Sequence, residues 1–349
     1  MLRQMDRFFN METVMDYKFL PNLDVALDLQ KSFKFQLKSS YMEMLEQLHA
    51  HDARIFPDSL VTAIASIAPS ELNGFHNFVY HYGINLMEES NFLETARLIQ
   101  VLANEKYSNL PKFVPGKSID QALMTAIFKG TSTGTTHKAI RLYPVDRDVE
   151  ETAISQIKVG TDKLNAVYPE IISEINILVD SVLFFDSGGE TSERALSLTG
   201  NRFQSLILVN GTIDPNWVFL LDKIVHEAAH CYLFAINLRE EMITNTEGAR
   251  YVSPLRRDAR DMMALYHATF VIQRLILAFT YLLENGVLND AERQKIIKTV
   301  RFYHSRLDAG FDTVMQHGKL SAIARDLIRE GQDFAHSLRS SAALEGIQA

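Results

Sequence analysis

Cysteine is almost missing from this sequence. Cys231 is the single one among 349 residues, so no disulfide forms within the chain, which favours a reducing compartment. A basic excess is missing as well. Lys and Arg number 35 against 43 Asp and Glu, a net charge of −8, so the chain lacks the electrostatic footprint of a nucleic-acid binder. There is no long apolar run free of polar groups. The most apolar stretch, Met262 to Leu283, carries His267, Gln273 and Arg274 inside it, which predicts a helix buried in protein rather than one crossing a bilayer. The opening residues, MLRQMDRFFNMETVMDYKF, scatter charges where a signal peptide needs an uninterrupted apolar segment. These absences together predict a cytoplasmic chain with neither nucleic acid nor membrane as partner.

What is present is a large apolar fraction, 47%, enough for a sizeable core in one large domain or two intimately packed ones. Residues 1–112 read as helices, with apolar positions at three-to-four spacing in Tyr41–His49 and Phe92–Ala103. Pro111, Pro115 and Gly116 punctuate the chain and mark the best boundary. That predicts a helical N-terminal region, 1–112, available for peptide recognition, and a catalytic domain, 113–349. Ile140 to Val145, Val182 to Phe185 and Ser205 to Val209 read as short strands, the last of them an edge strand. Gly130 to Thr136 resembles a phosphate loop only faintly, lacks the Gly-Lys-Ser/Thr ending, and reads as a turn. Helices are expected over Thr152 to Val179, from Pro215 to about Asn237, from about Pro254 to Glu284, and twice between Asp290 and Ser337. The fold class is therefore mainly α with a small β-sheet (α+β): a zincin-like helix preceded by an edge strand and surrounded by a helical bundle.

The residues that carry chemistry are His226-Glu227-Ala228-Ala229-His230. A helix advances about 100° per residue, so His226 and His230 project from one face a turn apart and can grip one metal ion. Glu227 sits where it can reach a metal-bound water. Zincin-type sites use an edge strand beside such a helix to hold an extended peptide. A metal centre needs a third protein ligand. Glu247, Asp261 and His267 are the candidates.

Set His267 at zero on a helix running continuously from Pro254 to Glu284. Arg256, Arg260 and Arg274 then fall within about 20° of it, with Ser253 as N-cap and Pro254 in the first turn. A cationic stripe of this kind calls for a bound anion or for carboxylates supplied by neighbouring helices.

The series His226-Glu-Ala-Ala-His230, Ser253-Pro-Leu-Arg256, Asp258, Arg260, His267-Ala-Thr-Phe-Val271 and Arg274 resembles the HExxH-motif peptide-modification proteins of ribosomally synthesised peptide natural-product pathways. The resemblance is firmest from about Ser205 to Arg274. It implies an Fe(II)- and 2-oxoglutarate-dependent oxygenase that uses O2 to hydroxylate a side chain, at Cβ, of a ribosomally synthesised precursor peptide. It further implies His226, His230 and His267 as iron ligands and Arg256, Arg260 or Arg274, near Ser253, as the binding site of the 2-oxoglutarate dianion. Most non-heme iron oxygenases use two His and one carboxylate, which keeps Glu247 and Asp261 open as ligands. The alternative is a zinc metallopeptidase with Glu227 as general base.

Overall fold

A computed structural model describes residues 16–104, 107–131, 141–188, 194–246, 248–253 and 259–339. The first helices are α1 (Leu23–His51), α2 (Asp58–Ser66), α3 (Gly74–Glu88), α4 (Phe92–Leu102) and α5 (Gln121–Thr131). Next come α6 (Arg147–Val167), α7 (Pro169–Leu178), α8 (Trp217–Asn237) and α9 (Met262–Asn285). The last two are α10 (Asp290–His317) and α11 (Ala322–Arg339). Four short strands accompany them: β1 (Phe113–Val114), β2 (Ser181–Phe185), β3 (Ser197–Leu198) and β4 (Leu206–Asn210). The fold is thus mainly helical with a small mixed sheet.

The sheet runs in the order β1-β2-β4-β3. Strands β1, β2 and β4 are parallel, and β3 runs antiparallel to β4 with Ser197 opposite Val209 and Leu198 opposite Leu208. Every residue of β2 and β4 is buried, because both faces of the sheet are covered, and this is why these strands read as unbroken apolar runs rather than alternating ones. Val182, Phe184, Ile207 and Val209 face a core shared with α6 to α11. Leu183, Phe185, Leu206 and Leu208 face a second core built by α1 to α5. Helix α1 enters both cores, Val25 and Leu29 on one side and Phe33 to Leu48 on the other. The Pro111–Pro115 punctuation falls at β1, which is bonded to β2, so the N-terminal helices share their core with the sheet.

Two expectations need correction. The strand ahead of the α8 helix is not at the edge: β4 is bonded to β2 on one side and to β3 on the other. The edge belongs to β3, whose two residues are too few to give a periodic signal. Second, the helix expected from Pro254 starts at Met262. Asp261 sits in an extended conformation (φ −67°, ψ 165°), and its carboxylate accepts the N–H of Ala264 at 2.8 Å, making it rather than Ser253 the N-cap. Just before it, Arg260 and Tyr251 exchange backbone hydrogen bonds of 2.7 and 2.8 Å, which places Arg260 outside α9. Residues 254–258, Arg256 among them, lie outside the described residues, as does Glu247.

Smaller expectations also resolve. Thr152 to Val179 divides at Tyr168 and Pro169 into α6 and α7. The strand anticipated around Ile140 to Val145 is, among the described residues, the single bridge of Tyr143 with Asp186. Gly130 and Thr131 close α5, and residues 132–140 are outside the described residues. The apolar segment in α9 is long enough to cross a membrane, but 83% of it is buried inside the protein, in contact with α6, α8, α10 and α11.

Candidate metal centre

Helix α8 carries the site. Asn216 caps it, accepting the N–H of Val218 at 3.0 Å, and its apolar flanks bury it against β4, α6 and α9. On this buried helix His226 and His230 are the partly buried positions of their turn, while Glu227, Ala228 and Ala229 are buried. The two imidazole centroids are 5.0 Å apart. His267 arrives from α9, with its centroid 5.2 Å from that of His230 and the rings nearly parallel. The Nδ1 atoms of His230 and His267 are 2.9 Å apart. Buried Nε2 of His267 has no hydrogen-bond partner. The fold thus brings His267 of α9 against His230 of α8, with His226 one turn away on α8.

Burial pushes the His230 imidazole down to about 4. Burial, with the charge of His230 adding to it, drives His267 well below its ordinary range. Both rings are therefore neutral near pH 7, the form that ligates metal. Two nitrogens each about 2.1 Å from one cation at a right angle stand roughly 3.0 Å apart, close to the 2.9 Å between these Nδ1 atoms. In this arrangement the two nitrogens share a proton instead, and among the described residues no group of three or more His, Cys, Asp and Glu side chains is placed to hold a metal ion. Imidazole is a donor type that suits a metal, but these three rings are not arranged as a ligand set.

Glu227 is 3% exposed. Burial raises its carboxyl to about 7, against the opposing pull of a hydrogen bond to Ser197 and the charge of Lys223. One turn earlier, Asp222 accepts Lys223 Nζ at 2.6 Å and the Tyr303 hydroxyl at 2.5 Å. This buried network ties α8 to α10. Burial, then the neighbouring Asp222, raises the Tyr303 phenol, so it remains a hydrogen-bond donor.

The arginine stripe does not survive as drawn. Arg260 is outside α9, in the bridge with Tyr251. Arg274 is on α9 and 2% exposed, but Glu174 of α7 pairs with it through contacts of 3.1 and 3.3 Å. Its guanidinium also lies 5.1–5.4 Å from the rings of Phe19, Tyr232 and Phe270. Arg274 is therefore neutralised by a carboxylate of the chain itself and is corrected from anion ligand to core ion pair. Asp261 is likewise spent on capping α9. Ser253 is buried, clear of any capping role on α9. Ser197, Asp222, Lys223 and Tyr303 were not among the sequence candidates. Glu174, the buried one of the two acids of α7 and set among isoleucines, was the readable sign that a buried cation waited for it.

No protein-family model matches the chain, and no curated protein matches it.

Proposed function

We propose that this chain is a metal-dependent enzyme whose metal is held by His226, His230 and His267. In the finer reading it is an Fe(II)/2-oxoglutarate-dependent oxygenase that hydroxylates a side chain, at Cβ, of a ribosomally synthesised precursor peptide. The observation that carries the reading is the approach of His267 to His230, Nδ1 to Nδ1 at 2.9 Å, which supplies a third imidazole where a carboxylate was the alternative. The residue series from His226 to Arg274 supports the peptide-modifying class by resemblance. An antiparallel edge strand, β3, in the sheet beside α8 supports this reading, because a free strand edge can hold an extended peptide by backbone pairing.

Bound iron with a keto acid would supply oxidising chemistry from O2. The chain's own residues would do the rest. The imidazoles would bind the ion in their neutral form. With Arg274 paired to Glu174, the distal carboxylate of 2-oxoglutarate falls to Arg260 or Arg256. Glu227 would orient a ligand or a water beside the ion.

A second reading, a zinc hydrolase, is favoured by one observation: Glu227 is raised to about 7, where a general base works best. One experiment separates the two. The purified chain is loaded with Fe(II) without oxygen, and 2-oxoglutarate is added while the visible spectrum is recorded. A charge-transfer band of the chelated keto acid is expected. Its absence, together with zinc-dependent cleavage of a peptide without O2, would transfer the assignment to the hydrolase.

A further inference from the structure

Helices α4 and α5 leave an open groove of about 620 Å³ between them. It belongs to the layer of α1 to α5, across the sheet from α8. The gap has its cause on α5. Ala122 and Ala126 stand one turn apart there, where longer side chains would close the space toward α4. With the buried Leu86 of α3 they make an apolar floor. The rim is polar and exposed. Gln121, Thr125 and Lys129 follow one another at four-residue intervals along α5, and Arg97 stands on α4. Two cations and one acid, Glu94, line the groove, in a chain whose net charge is −8. Among the described residues no ion pair or hydrogen bond engages Lys129. Arg97 meets Glu94 only at 3.7 Å, beyond hydrogen-bond reach, so its guanidinium donors stay open.

From Gln121 to Lys129 the rim runs about 12 Å, the length of roughly four residues of extended chain. Alternate side chains of an extended chain point to opposite sides. Apolar ones then meet the floor while acidic ones meet the two cations. An exposed rim on both helices suits a chain lying along the groove better than an enclosed small molecule.

We propose that this groove binds an extended acidic peptide segment. Arg97 and Lys129 hold its carboxylates, and its apolar side chains rest on Leu86, Ala122 and Ala126. The proposal is independent of any metal at α8. The probe is a fluorescein-labelled hexapeptide of alternating glutamate and leucine, titrated with the full chain at low ionic strength by fluorescence anisotropy. A counterpart with glutamine for glutamate keeps the apolar side chains and removes the charge.

Saturable binding of the acidic peptide is expected, with the glutamine counterpart about fivefold weaker or more, the upper weight of an exposed ion pair. Arg97→Glu and Lys129→Glu are each expected to weaken the acidic peptide by about fivefold or more, and together to abolish the difference between the two peptides. Ala122→Leu, which fills the floor, is expected to weaken both peptides alike; if melting shows that variant destabilised, Thr125→Trp blocks the groove from its rim instead. Lys298→Glu, exposed on α10, is expected to stay within about twofold of the parent. No saturable binding, equal affinity for the two peptides, or parent-like binding by both charge-reversed variants would overturn the proposal. An equal loss with Lys298→Glu would also overturn it, by marking general electrostatic attraction. Displacement by free glutarate as effective as by unlabelled peptide would replace the peptide with a small dicarboxylate.

Discussion

At the scale of single residues, Glu227 is a buried acid that works against stability as pH rises. Its carboxyl ionises near 7 in the folded chain against an ordinary 4.5, so the fold holds a proton that the unfolded chain releases. The stability contributed by this group is complete below about pH 4.5 and is lost as pH rises through about 7. The full difference corresponds to roughly 3 kcal/mol. Glu227→Gln, measured by urea unfolding of the metal-free chain, is therefore expected to exceed the parent by about 1–3 kcal/mol near pH 8. Near pH 4 the two should be equal. A Gln variant less stable than the parent at both pH values would contradict the buried, raised carboxyl. Arg274 shows the opposite case, a charge kept for structure. Removing its partner by Glu174→Ala strands a guanidinium in an aromatic cage and is expected to cost about 3–5 kcal/mol in denaturant unfolding. Adding 2-oxoglutarate should not restore that loss; full recovery would return Arg274 to the anion site.

At the scale of elements, packing decides what patterning leaves open. The α8 helix was legible because its capping Asn216, apolar flanks and paired histidines agree over twenty-one residues. The start of α9 was not legible, because Ser253-Pro254 and Asp261 are both good helix-start chemistry. The competition is settled by the Tyr251–Arg260 bridge, a contact between residues nine apart that no local rule weighs. The edge strand β3 was invisible for a related reason: two residues carry no period, and their pairing with β4 defines them. Close approach also joins the layers. The N-terminus of α3 meets β4 at Gly74, where an added Cβ would come within 2.4 Å of both Leu206 Cβ and Leu206 N. Backbone cannot yield as a side-chain tip can. Gly74→Ala is expected to destabilise the chain by about 1–3 kcal/mol, checked by the denaturant midpoint; an unchanged midpoint would mean that α3 does not sit on the sheet this tightly.

At the scale of the molecule, the sheet is a partition with a helical layer on each face. One layer, α6 to α11, contains every candidate metal ligand that the structure describes, and the other layer supports the sheet from behind. That His267 stands beside His230 is a property of this whole arrangement. Residues 230 and 267 are far apart in the chain, and they meet because α9 is clasped by α6, α8, α10 and α11 and turns His267 toward α8. The sequence made the three histidines candidates, while the approach of His267 to His230 depends on packing that only the folded chain displays. The most direct test of the account is metal stoichiometry. Purified chain, stripped and reloaded with Fe(II) without oxygen, should hold one ion per chain. His267→Ala should lose that ion, and Asp261→Ala, which removes only a helix cap, should retain it. Full iron binding by His267→Ala, or its loss with Asp261→Ala alone, would contradict the three-imidazole centre.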